Sequence, residues 1–304
     1  MKWDTEGQTF SVPVRTKVDT LGPGPEWTRS GHLEEGSAML GEKKDASQFV
    51  EVNGVRLCVK QAGTNIGKSR TMVFVHGLGF SKENMDPLFN YYKELHQVVS
   101  YDVRGHGLSD KPDSWTLKDD VEDLHELIGK LGIEKPVVVG FSMGSYITLA
   151  TAEKYPDLFE RIVLIGTKGG GGSSIKSISS SGDSDADSKA KIRNRVFAPS
   201  HTLEQIHEFT RSIAAPVRLT HEQNEAIYKS LANFDNLTNA SNATMPVLCL
   251  TGQHDGVNPL PQGKIVADTL PDGRFYEVLG AGHITFFENF PYTVQRIDEF
   301  LQES

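Results

Sequence analysis

The sequence predicts an α/β protein built on a mostly parallel sheet with helices on both faces. Three observations predict it. First, from about residue 49 short β-branched runs alternate with segments of helical period, the pattern of parallel strands joined by covering helices. Second, Val137-Val138-Val139 runs into Gly140-Phe141-Ser142-Met143-Gly144 and then into a helix-compatible stretch. That is G-x-S-x-G at a strand-to-helix turn, a nucleophile elbow that holds a serine up on a strained backbone. Third, about 75 residues separate two core strands, too many for a structureless loop in a compact domain, so a folded helical insertion is expected there.

Composition narrows the class. The chain has 304 residues, enough for one large domain with an insertion, and a formal net charge of −9. An acidic surface without a Lys/Arg block disfavours nucleic acid and anionic membranes as partners. No apolar run reaches the ~18 residues of a membrane span, and the first residues lack a signal-peptide core. A soluble, cytoplasmic protein is therefore expected. Cys58 and Cys249, the two cysteines, each lie in an apolar strand-like run and read as buried thiols.

Residues 1–46 are polar and irregular, and Gly22-Pro23-Gly24-Pro25 breaks any regular element, so they read as an N-terminal extension. The first part of the core is expected over 47–167. Phe49–Val52 and Val55–Val59 flank Asn53-Gly54, a hairpin turn signal. Ala62 to Ser69 nearly matches a phosphate-binding loop, but Thr71–Val75 after it is a strand where such a loop needs a helix, so a polar connection is expected. That strand leads into His76-Gly77-Leu78-Gly79, a loop able to aim backbone N–H groups at an oxyanion. A helix is expected over Glu83–Leu95 and a strand over Gln97–Tyr101. In the turn beyond it, Asp102 and Arg104 read as hydrogen-bonding braces and His106 as structural. Leu117–Leu131 has the apolar spacing of a helix and acidic residues in its early turns. A helix from Met143 is stopped by Pro156, and Arg161–Gly166 is a strand.

Residues 168–244 read as linker and insertion. Gly169–Gly172, the serine run and Asp183, Asp185 and Asp187 form a low-complexity linker. Helices are expected over Ala190–Phe197, Leu203–Ile213 and Glu222–Phe234, together covering the serine turn and walling an apolar pocket. The second part of the core, 245–304, holds a strand ending at Gly252, a helix over Pro261–Leu270, a strand over Phe275–Leu279 and a last helix over Tyr292–Leu301.

Leu78, Ser142, Asp255 and His283 all fall just past expected strand ends, where open α/β sheets bind ligands. With His76-Gly77-Leu78-Gly79, Gly140 to Gly144, Gly252-Gln253-His254-Asp255 and Gly280-Ala281-Gly282-His283, the chain from about Phe49 onward resembles the α/β-hydrolase superfamily. The similarity is to its capped small-molecule members: esterases, enol-lactonases, C–C bond hydrolases and cofactor-free haloperoxidase-like proteins. The resemblance implies an eight-stranded sheet and a Ser142–His283–Asp255 triad. It also implies an oxyanion hole from the N–H groups of Leu78 and Met143, and no metal or organic cofactor. The implied partner is a small apolar ester, lactone, thioester or activated C–C compound. Epoxide hydrolases and haloalkane dehalogenases of this fold carry aspartate at the elbow, and Ser142 argues against both. Two other functions stay open: a small-molecule receptor with slow or no turnover, and an aminopeptidase using Glu204, Glu208, Glu222 or Glu225 to hold the substrate amine. His254 and His76 read as non-catalytic, His76 as a brace for the oxyanion loop.

Overall fold

A computed structural model describes residues 47–63, 70–172, 174, 185–212 and 219–303. The expected extension over 1–46, the near phosphate loop over 64–69 and most of the serine-rich linker lie outside the described residues.

The first strands are β1 (Gln48–Val52), β2 (Val55–Gly63), β3 (Thr71–Val75), β4 (Gln97–Tyr101), β5 (Val137–Phe141) and β6 (Arg161–Ile165). Between them run α1 (Asp86–Tyr92), α2 (Leu117–Lys130) and α3 (Met143–Lys154). The insertion contributes β7 (Gly170–Gly171), α4 (Asp185–Val196), α5 (Leu203–Ser212), α6 (His221–Ser230) and β8 (Phe234–Asp235). The chain closes with β9 (Val247–Gly252), α7 (Leu260–Thr269), β10 (Gly273–Val278), α8 (Thr285–Glu288) and α9 (Phe290–Gln302). The main sheet has eight strands in the order β1-β2-β4-β3-β5-β6-β9-β10. Only β2 runs antiparallel to its neighbours; from β4 to β10 every pairing is parallel.

Strand alternation divides the apolar residues between two cores. Val73, Val75, Val138, Ile162 and Leu164 face one, with Leu124 and Leu127 of α2, Ile147 of α3 and Val266 of α7. Met72, Phe74, Val137, Val139, Val163 and Ile165 face the other, with Leu88 and Phe89 of α1 and Ile297 and Phe300 of α9. Both faces being buried explains why these strands read as unbroken apolar runs. Cys58 and Cys249 are buried and free, as expected.

Several elements differ from expectation, among them α4, which begins at Asp185, inside the expected linker. The helix expected over Glu83–Leu95 is a 3₁₀ turn over Lys82–Met85 followed by α1. Pro87 cannot donate a backbone hydrogen bond and fits only a first helical turn, so the α-helix begins beside it at Asp86. The expected helix over Glu222–Phe234 ends at Ser230, since Asn233 takes φ +57°, outside helical space. Phe234-Asp235 then pairs antiparallel with Gly170-Gly171, so this part of the expected linker is ordered in a small ribbon. Two-residue strands leave no periodicity to read in a sequence.

Candidate active site

The β5–α3 junction has the backbone its sequence foretells. Ser142 sits at φ +51°, ψ −115°, an unfavourable region for a residue with a Cβ. Its N–H donates to the Ile165 carbonyl of the neighbouring strand at 2.8 Å, which ties the turn to the sheet. A Cβ at Gly144 would overlap the Val75 carbonyl, so glycine is what lets α3 start this close to β3. Met143 is the first residue of α3, and its N–H has no acceptor within the helix.

Leu78, Ser142 and His283 line one cavity of about 780 Å³. His283 follows β10, and its Nδ1 lies 2.7 Å from Oδ2 of Asp255, which follows β9. Ser142, Asp255 and His283 are 8%, 5% and 4% exposed, so all three work in a largely dry setting. The second carboxylate oxygen of Asp255 accepts the N–H groups of Val257 and Asn258, at 2.9 and 2.8 Å. Both Asp255 oxygens are thereby engaged, which fixes the carboxylate plane. Gly166, at the end of β6, has φ +59°, and a Cβ there would stand 2.8 Å from Cε1 of His283. The imidazole therefore lies against bare backbone.

Further groups brace this arrangement. Asn258 is fully buried, and its amide donates to the Tyr146 hydroxyl and the Gly166 carbonyl, each at 2.6 Å. It joins the Asp255 loop to α3 and to the chain beside His283. Burial raises the Tyr146 phenol above its ordinary value, partly offset by Asn258 and the nearby Ser142 and Ser174 hydroxyls. His76 is buried, and burial pushes it down to about 4, so it is neutral at pH 7. Its Nε2 accepts the Val103 N–H at 3.0 Å, which leaves Nδ1–H to donate to the Gly77 carbonyl at 2.8 Å. Asp102 accepts from the N–H groups of Lys82 and Leu108, and Arg104 pairs with Asp123 at 2.6 Å, so both act as braces. His106, pushed by burial to about 3, bonds the Arg104 carbonyl within that same turn. His254 is exposed and does not line the cavity.

The insertion bears directly on the loops of Asp255 and His283. The last carbonyls of α4, from Arg195 and Val196, accept the N–H groups of Gly256 at 2.9 Å and His283 at 2.6 Å. Apolar side chains of α4 and α5 wall the cavity, including Val196, Phe197, Ile206 and Phe209. None of Glu204, Glu208, Glu222 and Glu225 lines it.

The family described as alpha/beta hydrolase fold matches residues 70–190, the segment holding β3 through the serine turn to α4. The chain has the α/β-hydrolase fold. Among curated relatives, a 2-(acetamidomethylene)succinate hydrolase of Mesorhizobium japonicum is 32% identical over 120 residues. That match covers 39% of this chain and 42% of the relative. A 3-oxoadipate enol-lactonase of Acinetobacter baylyi is 23% identical over 272 residues, covering 88% of this chain and 97% of the relative. Among solved structures, an enol-lactonase from Burkholderia xenovorans superposes with a TM-score of 0.74 at 23% identity, covering 84% of this chain and all of that one. At that identity the likeness speaks to the α/β-hydrolase fold.

Sequence reasoning missed Asn258 and the end of α4. Asn258 stands three residues after Asp255 in a loop and carries no signal in type or spacing. The α4 bonds to the N–H groups of Gly256 and His283 are backbone bonds, which leave no trace in residue identity.

Proposed function

We propose that the protein is a serine hydrolase cleaving a small, largely apolar ester, lactone, thioester or activated C–C bond through an acyl-enzyme. The observation that carries this reading is the Asp255–His283 hydrogen bond at the wall of the cavity that Ser142 also lines. In this mechanism Asp255 accepts the Nδ1–H of His283, leaving Nε2 free to take a proton. Ser142 Oγ attacks the substrate carbonyl while His283 Nε2 takes the hydroxyl proton. The oxygen of the tetrahedral intermediate becomes anionic and is held by the N–H groups of Leu78 and Met143. Each such donor is worth about 3 kcal/mol of barrier. His283 then hands its proton to the leaving group, and the acyl chain stays on Ser142. Water repeats the sequence with the same base, releasing the acid. The carboxylate keeps its charge throughout and stabilises the imidazolium.

The aminopeptidase alternative loses its support, because among the described residues no carboxylate lines the cavity to receive an ammonium group. Two free, buried thiols suit a reducing compartment, in keeping with a cytoplasmic enzyme. The test is turnover of short-chain 4-nitrophenyl esters by the purified protein. Sustained turnover, lost in Ser142→Ala, is the expected result. A single slow burst followed by tight product retention would overturn the enzyme reading in favour of a small-molecule receptor.

A further inference from the structure

Building on that chemistry, we propose that the cavity selects substrates whose non-reacting end carries a carboxylate, and that Arg193 is the group that holds it. The cavity walls are mainly Leu78, Phe80, Phe197, Phe209 and Ile284, which suit an apolar chain. Its charged or chargeable members beside His283 are Lys189, Arg193 and His207. Among the described residues no Asp or Glu lines it, although the chain holds 40 acidic residues against 31 basic ones. The bias of the wall is therefore opposite to that of the chain.

Among the described arginines, Arg193, Arg195 and Arg211 have no carboxylate partner, and of these three only Arg193 lines the cavity. Arg56, Arg70, Arg104, Arg161, Arg274 and Arg296 each pair with a carboxylate. Arg193 is half-buried, and among the described residues its side chain bonds only the neutral amide oxygen of Asn194, at 3.2 and 3.3 Å. A guanidinium carries five N–H donors in a planar fork that matches a carboxylate in two parallel bonds. On an apolar wall, where water competes poorly, such a pair is stronger than at an open surface. Lys189, Arg193 and Val196 recur at helical spacing along α4, which sets them on one face of the helix, and all three line the cavity. A net charge of −9 repels an anionic substrate at long range, so its capture needs a local cation of this kind. One guanidinium balances the single charge of a carboxylate without burying an excess.

The experiment compares matched substrates: 4-nitrophenyl hydrogen esters of dicarboxylic acids from succinate to suberate, against the same compounds capped as methyl esters. Spontaneous hydrolysis is subtracted. At one chain length the free acid should exceed its methyl ester in kcat/KM by roughly tenfold or more, the worth of a charge-assisted bond. Arg193→Gln should collapse that ratio through KM, and Arg193→Lys should restore part of it. Lys191→Gln removes an equal charge from an exposed position of α4 that does not line the cavity, and should keep the ratio. Calorimetric binding of monomethyl against dimethyl adipate, on the full chain, reads the same selectivity without turnover. If no ester is hydrolysed, the hydrolase mechanism fails while this measurement still decides the charge preference. Equal treatment of acid and methyl ester at every length and in binding, or a preference untouched by Arg193→Gln, would overturn the proposal.

Discussion

Replacing Asp255 with Asn changes one atom and should silence the enzyme by way of proton placement. In the wild type, Oδ1 accepts two backbone N–H groups and Oδ2 accepts His283 Nδ1–H. An asparagine side chain must choose an orientation. If its oxygen stays on the Val257 and Asn258 N–H groups, its NH₂ faces Nδ1 of His283. The opposite choice sets NH₂ against two buried donors and leaves both unsatisfied, at about 1–3 kcal/mol each. The first orientation wins by several kcal/mol, a preference of more than about 30-fold. Facing a donor, Nδ1 must become an acceptor, so the ring proton moves to Nε2, the nitrogen that should take the serine proton. The base is lost, along with the charge that stabilises the imidazolium. Equivalent substitutions in serine proteases cost about four decades in kcat, and a loss of roughly three to four decades is expected here. Because both backbone N–H groups keep their acceptor, stability should fall by no more than about 1–2 kcal/mol. Steady-state hydrolysis of 4-nitrophenyl butyrate, with thermal melting followed by circular dichroism, measures both quantities. A folded Asp255→Asn protein within tenfold of wild-type kcat would refute the role given to Asp255.

Two further outcomes are expected. Asn258→Ala removes two buried hydrogen bonds, to Tyr146 and Gly166, and should destabilise by about 2–5 kcal/mol, lowering the melting temperature by roughly 5–15 °C. Its kcat should drop more than its KM changes; a melting curve and kinetics indistinguishable from wild type would remove Asn258 from the site. Glu153, 9% exposed on α3, has its carboxyl pushed up to about 7 by burial, with the charge of Asp235 adding to the effect. The folded-state value lies above the ordinary 4.5, so stability falls as pH rises from about 4.5 to about 7 and levels off above that. Glu153→Gln should therefore gain at most about 3 kcal/mol over wild type at pH 8 and nearly nothing below pH 4.5, as read by urea melts at each pH. Equal differences at both pH values would contradict a buried neutral Glu153.

The core strands were legible because they are buried on both faces, so Thr71–Val75, Gln97–Tyr101 and Val137–Phe141 stand out as β-branched runs. The serine turn was legible because Gly140 and Gly144 answer a steric demand that residue type records. Asp255 and His283 could be placed past strand ends by counting along the chain. What escaped was carried by backbone or by tertiary packing. The Gly170–Phe234 ribbon is two residues per strand, and the α1 start depends on how one proline is accommodated. The hydrogen bond by which α4 holds His283 uses a main-chain carbonyl. Arg193 looks like any other helical arginine until its missing carboxylate and its place on the cavity wall are seen together. Of the described helices, none is long and apolar enough to cross a membrane, which matches the absence of such a run in the sequence.

The most direct test of the central claim is mass spectrometry of the protein after reaction with a fluorophosphonate. The expected result is one adduct, on the peptide bearing Ser142, absent from Ser142→Ala and slowed by orders of magnitude in His283→Ala. An unlabelled Ser142 in folded protein, or ester turnover that survives Ser142→Ala, would contradict it.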